Sequence, residues 1–502
     1  MTPNSIIPYL VILPLAAAFL IIIFGKIVRP AGSIIASIAS IGLFAISLAL
    51  SFLITQYGVL IYKVGGWMPP AGIPMIVDSY SALILLIANL IAMLVTFYSV
   101  GYVKIYTDTW KYFTLLMLMM AGVNGVAVSG DIFNMFVYLE IASFATYALV
   151  AFGNESEALE ASFKYAVMSS VASTFMLIGI AFLYSHTATL NMAYIGKFME
   201  GNTTTKVISF VSVLFLAGFG LKAALAPFHA WLPDAYTKAP APIPAMSSGV
   251  LIKVLGVYAL TRLFFNVFGM TGPVSCILMF FAVISMLGGS ILAFGQSNIR
   301  RLLGYSSISQ VGYIILGFAI GTPLAVMGSL LHIFNHSVAK SLLFMGAGSM
   351  ESSMGTQDIK KISGVISRMP VTGYTSLIGA LSICGIPPLG GFWSKLIIIL
   401  ACIQAGYFGL AFIAAFVSIL TLAYYFKAYA PMLFGSVEGA SKVSEKNGTQ
   451  FFMGTPMIIL AVISIASALF LVPGVMNILL RFATATVVNG TAYVNIILGS
   501  MK

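Results

Sequence analysis

The feature that most limits how this chain can fold is a succession of apolar runs, each about as long as a bilayer is thick. A hydrocarbon core needs about 20 apolar residues per helix. Such runs lie near 5–25, 31–54, 79–103, 111–130, 132–152, 163–185, 207–226, 241–264, 271–294, 299–320, 324–349, 371–405, 408–432 and 455–480. Within lipid the backbone must satisfy its own hydrogen bonds, so each run reads as a helix. The expectation is an all-α polytopic membrane protein with about fourteen transmembrane helices. Composition agrees, since 60% of the residues are hydrophobic and 7% charged, whereas soluble domains carry about 25% charged residues. The net charge of +11 then belongs to cytoplasmic loops and not to a nucleic-acid surface. The first run has no basic segment before it and no cleavage site followed by a soluble domain, so it reads as a retained helix.

Loop charges give an orientation. The odd-numbered loops carry 14 basic residues, among them Lys26, Arg29, Lys104, Arg300, Arg301, Lys442 and Lys446. The even loops and the tail carry 6, including Lys63, Arg262 and Lys502. The positive-inside rule makes the odd loops cytoplasmic and places both termini outside. Loops are short, the longest being roughly 350–370 and 435–454, and neither GxGxxG nor P-loop spacings occur. Any work this chain performs is therefore driven by an ion gradient or by a partner. Cys276, Cys384 and Cys402 lie in apolar runs without CxxC or histidine spacing, so they read as core residues with no metal and no cofactor implied.

Against this background the intramembrane charges stand out. Lys222 and Lys253 fall in successive apolar runs, and a lysine at mid-membrane depth costs about 2.5–3.5 kcal/mol to insert. Pro227 follows Lys222 by five residues, removes a backbone donor and should break the helix just past the lysine. Broken helices at that depth line polar cavities where ions move. Glu140 is the one acid well inside an apolar run, and an opposite charge beside it would keep both groups ionised. The run LLHIFNHSVAKSLLFMGAG holds His332, His336 and Lys340 four residues apart, on one helix face with about 6 Å of rise per step. Histidine both takes and gives a proton at neutral pH, so the stripe reads as a proton wire. The run 371–405 is too long for one straight crossing and contains GIPPLGG, with Pro387 and Pro388, so it reads as two half-helices with Lys395 after the break. His229 and Asp234, in PFHAWLPD, read as structural groups around the first break. Asp78 and Asp131 read as helix caps.

The stretches LKAALAPFHAWLPDAYTKAPAPIPAMSSGVLIK, FNMFVYLEIASFATYAL, LLHIFNHSVAKSLLFMGAG and GIPPLGGFWSK resemble the antiporter-like subunits of the complex I superfamily. That group includes the large membrane subunits of NADH:quinone oxidoreductase, the D and A subunits of Mrp-type cation/proton antiporters, and equivalents in membrane-bound hydrogenases. The resemblance implies two inverted five-helix repeats with helices 7 and 12 broken. It divides the chain into 1–110, a first repeat at 111–264, a second at 271–432, and 433–502 holding a loop, helix 14 and a short tail. It also implies a Glu140–Lys222 pair, a connecting Lys253, a central relay of His332, His336 and Lys340, and Lys395 as the basic group of the second half. The chain ends about twenty residues after its last run, leaving no room for the lateral helix of L-like or A-like members, so a D-type subunit fits best.

The resulting expectation is a proton-translocating subunit, with Na+ as a second cation, embedded among other membrane subunits and lipid in a cell membrane. The alternatives are a non-conducting spacer, and an N- or M-like subunit of NADH:quinone oxidoreductase. An independent redox enzyme is disfavoured because no flavin, iron–sulfur or haem ligand pattern occurs.

Overall fold

In a computed structural model, residues 3–28, 30–67, 72–200, 205–436, 447–472 and 480–501 are described. Arg29, Lys442, Lys446 and Lys502 from the loop-charge argument, and the end of the expected run 455–480, lie outside them. The chain is helical and multi-pass. The first helices are α1 (Tyr9–Phe24), α2 (Ala31–Tyr57), α3 (Ser79–Tyr102), α4 (Thr109–Val128), α5 (Ile132–Val150) and α6 (Ser156–Thr187). Then follow α7 (Met192–Met199), α8 (Lys206–Lys222), α9 (Trp231–Lys238), α10 (Pro242–Met246), a π-helix (Ser247–Tyr258) and α11 (Ala259–Asn266). The remainder is α12 (Gly272–Phe294), α13 (Ile299–Ile320), α14 (Pro323–Met354), α15 (Val365–Arg368), α16 (Pro370–Cys384), α17 (Gly390–Gln404), α18 (Phe408–Phe434), α19 (Asn447–Ala466), α20 (Phe482–Val488) and α21 (Gly490–Met501).

Among the described residues eleven helices are long and apolar enough to cross a membrane, or twelve if a bent pair counts as one. Three of the expected fourteen crossings do not meet that description. The run around Lys222 forms a helix of 17 residues, α14 carries too many polar groups, and the run 371–405 is two helices of 15 residues each. Other departures are local. The loop before α3 contains an antiparallel pair of strands, β1 (Leu60–Lys63) and β2 (Pro74–Val77). The expected short tail contains two helices meeting at 96°, and Cys276 is exposed, not a core residue.

The fold carries an internal spacing that extends well beyond its two broken helices. Helices α6 and α14 each have 32 residues and begin 167 positions apart. At that offset the contacts recur. Ser162 Oγ donates to Tyr147 O at 2.8 Å, and Ser329 Oγ donates to Ile314 O at 2.8 Å. The capping residues Asp131 and Asn298 each form a bridge with a residue 60 positions later, Asn191 and Asp358. A Cβ on Gly122 would sit 2.5 Å from Ala142 N, and one on Gly289 would sit 2.6 Å from Ser309 N, the same pair of positions 167 residues on. Both glycines let α4 and α12 lie directly on the backbones of α5 and α13.

Candidate functional site

The first polar centre forms where α8 stops. Lys222 is its last residue, and the chain then turns through Ala224 at φ +54° before Pro227. Three of the polar groups around the break find partners. Leu225 N donates to Gly220 O at 2.9 Å, Ala226 N to Ser285 Oγ at 2.9 Å, and Trp231 Nε1 to Leu221 O at 3.2 Å. Trp231 is fixed by stacking on Tyr165, with centroids 4.1 Å apart. The break is thus a built structure in which the lysine ends a helix at its carbonyl pole, the end that favours a cation.

Glu140 from α5 and Lys222 from α8 meet. The ammonium lies 3.3 Å from Glu140 Oε1 and donates to Ser143 Oγ at 2.9 Å and Ser169 Oγ at 2.5 Å. Ser173 Oγ donates to the same Oε1 at 2.5 Å. Lys222 is buried, while the carboxylate keeps 19% of its side-chain surface exposed. Three helices therefore hold one ion pair, with serines supplying the hydrogen bonds that an isolated intramembrane pair would lack. The serines have no signal of their own in the sequence, since small polar residues are common in apolar helices.

Lys253 lies in the π-helix, which the sequence does not reveal; such segments are uncommon and frequently mark functional positions. Its ammonium donates to the carbonyls of Ser248 and Gly249. Gly256 brings this segment against the helix break, because a Cβ there would run into the Ala223 backbone.

On α14, His332, His336 and Lys340 are all buried on one stripe. The two imidazoles stack with centroids 6.1 Å apart, and His332 Nδ1 lies 2.9 Å from Ser394 Oγ. Lys340 donates to Leu303 O at 2.9 Å and to the Tyr425 hydroxyl at 3.1 Å. Lys395, on α17, donates to Ile383 O at 2.7 Å and lies 5.3 Å from the centre of the Tyr313 ring. Ile383 is in the last turn of α16, so this ammonium too sits at the carbonyl end of a broken helix. Pro387 and Pro388 occupy the connection between α16 and α17.

Contacts around these centres give detail to two readings and revise a third. His229 does not hydrogen-bond through Nδ1 to any described residue; it packs edge-on against Tyr305. Asp234 bridges two helices, 3.2 Å from Lys164 on α6 and 3.1 Å from Arg301 on α13. Arg262 and Arg300 are not loop residues in contact with water, since both are 2% exposed. Arg262 pairs with Asp78 through two nitrogens at 2.7 and 2.8 Å and is ringed by Tyr80, Tyr258 and Tyr493. Asp78 still caps α3 through Ser81 N, and the pair ties the C-terminal helix α21 to α3 and α11. Arg300 pairs with Glu351 beside a cavity of about 430 Å3 that Tyr102, Lys238 and Gln357 also line.

The chain has relatives among known proteins. Residues 129–421 match the family described as NADH:quinone oxidoreductase/Mrp antiporter, TM. The chain belongs to that family. It is 34% identical over 418 residues to the D subunit of the Na(+)/H(+) antiporter of Alkalihalophilus pseudofirmus, covering 82% of this chain and 84% of the relative. It is 37% identical over 371 residues to the N subunit of the NADH-quinone oxidoreductase of Desulforudis audaxviator, covering 73% and 74%. Its fold is similar to a chain of the Mrp complex from Dietzia sp. DQ12-45-1b, with a TM-score of 0.91, 26% identity, and 99% and 100% of the two chains covered.

Proposed function

We propose that this chain is an ion-translocating membrane subunit of the cation/proton antiporter type, working within an assembly of other membrane subunits, with protons passing through the Glu140–Lys222 pair and the buried relay. The observation that carries this reading is the contact of Glu140, Ser143 and Ser169 with one buried ammonium at the end of a broken helix. The family members named above, the D subunit of an antiporter and the N subunit of a quinone oxidoreductase, support the class of function.

The pair acts as a switch. While Glu140 stays close, Lys222 is held charged; when the helix break shifts and the carboxylate withdraws, the ammonium loses its partner and gives up its proton toward Lys253. Each tenfold change in proton affinity corresponds to about 1.4 kcal/mol, so a few kcal/mol from a partner or a gradient suffices to load and unload the site. From Lys253 the proton moves through His336 and His332 or Lys340, and Lys395 serves the second opening. The repeat boundaries are 111–264 and 271–432, supported by the contacts recurring at an offset of 167. The odd loops face the cytoplasm, both termini face outward, and the cavity beside Arg300 and Glu351 opens on the cytoplasmic side. Protons are the main cargo, and sodium coupling resides partly in other subunits.

The test is gentle extraction of the native assembly, identification of its subunits by mass, and iron and nickel determination, followed by reconstitution with a pH-sensitive dye. Small membrane subunits without metal, and a dye response to an imposed Na+ gradient, mark an antiporter. Co-purifying iron–sulfur subunits mark the pumping arm of a redox complex. No proton movement under either driving force, from an assembly that is otherwise complete, contradicts the proposal and leaves a spacer.

A further inference from the structure

The offset of 167 can be applied residue by residue to the first polar centre. Ser143 and Ser169, which hold the Lys222 ammonium, correspond to Gln310 on α13 and His336 on α14. In the first centre these two positions converge on a single nitrogen. In the second they therefore face a common point, and among the described residues no lysine is hydrogen-bonded there, because Lys253 is engaged with Ser248 O and Gly249 O, Lys340 with Leu303 O and Tyr425, and Lys395 with Ile383 O.

An independent route leads to the same place. Helices α13 and α14 are joined by a tight turn and run antiparallel. They touch at Ile314 with Ser329 and at Leu303 with Lys340, which puts Gln310 level with Ile333, between His332 and His336. Nearby on α13, Ser306 and Ser307 bond to Tyr425 and Ser248, and Tyr313 packs against His332.

Gln310 is fully buried, yet among the described residues neither its amide oxygen nor its amide nitrogen has a partner, and the same holds for both ring nitrogens of His336 and for Nε2 of His332. Buried polar atoms are almost always hydrogen-bonded, and where protein does not supply the partner, water does. An amide both donates and accepts, so it can orient water toward an imidazole in either tautomer.

We infer that Gln310 is a positioning residue of the relay, holding the water that links His336 to His332 across the centre of the second repeat. A proton reaching His336 is handed to that water, and the water gives a proton to His332, each transfer making one N–H or O–H bond as it breaks another. The amide keeps its own protons and fixes the geometry. This inference rests on the relay proposed above.

Gln310→Leu and Gln310→Met remove both unpartnered polar atoms while nearly keeping volume, a change that is close to neutral or stabilising for folding. Each is compared with Gln310→Asn and with His336→Ala in reconstituted assemblies, reading proton flux in H2O and D2O. The expected result is an approximately tenfold loss of flux in the two apolar variants, a larger D2O slowing than in the unmodified assembly, and partial recovery in Gln310→Asn. Unchanged flux in both apolar variants, with flux lost in His336→Ala, overturns the role of Gln310 and leaves the relay standing. Unchanged flux in all four overturns the relay and this inference together. Failure of both apolar variants to assemble, or loss of flux without a changed D2O effect, assigns the amide to packing and also overturns the inference.

Discussion

Two regions of this membrane protein repeat several contacts at an offset of 167 residues and differ at the positions where charge is handled. In the first half, Lys222 is met by a carboxylate and two serine hydroxyls. In the second, the positions of Glu140, Ser143 and Ser169 hold Ser307, Gln310 and His336, with no carboxylate among them. Tyr165 and Ser173 likewise give way to His332 and Lys340. Lys395 has only a carbonyl and an aromatic face among the described residues. On the proposed function, one scaffold carries a switchable ion pair on one side and a corridor of proton carriers on the other.

On that division of labour, the largest effect comes from the switch itself. Lys222→Ala should bring proton flux to background, a loss of about a hundredfold or more, measured by dye quenching in vesicles with the amount of assembled complex held equal. Glu140→Gln keeps shape and removes charge. It should cost about ten- to a hundredfold, the range of a hydrogen bond to a charged group at about 1.5–3 kcal/mol, and equal flux in this variant would erase the difference between the halves. The shared scaffold predicts matched losses instead. Gly122→Ala and Gly289→Ala should each destabilise the solubilised assembly by a similar amount, about 1–3 kcal/mol of overpacking, read as a lowered melting midpoint; a large effect in only one would break the correspondence. Ser162→Ala and Ser329→Ala should be smallest, about 0.6 kcal/mol each, seen as small equal shifts in the same melting experiment.

Much of this architecture is legible in the amino-acid sequence. Apolar run length sets the multi-pass helical class because the bilayer imposes it, and Lys222, Lys253 and Lys395 stand out through the cost of burying them. Spacing alone puts His332, His336 and Lys340 on one face. What stays hidden has no such cost. Ser143, Ser169 and Ser173 pass unnoticed in apolar helices, the π-helix around Lys253 depends on packing at Gly256, and Gln310 carries no charge. Arg262 and Arg300 read as loop residues because they lie at run ends, where only tertiary contacts with Asp78 and Glu351 distinguish buried from exposed. Aligning the sequence with itself at an offset of 167 is the signal that points to Gln310.

On the proposed function, a carboxylate beside Lys222 controls release of its proton. Ser173 Oγ lies 2.5 Å from Glu140 Oε1, so an aspartate at that position can restore the charge from the neighbouring helix. The decisive measurement is proton flux in the double variant Glu140→Gln with Ser173→Asp, set against Glu140→Gln alone in equally assembled complexes. The double variant should regain flux to within about tenfold of the unmodified assembly. Flux no higher than in Glu140→Gln alone, from a fully assembled complex, would contradict it.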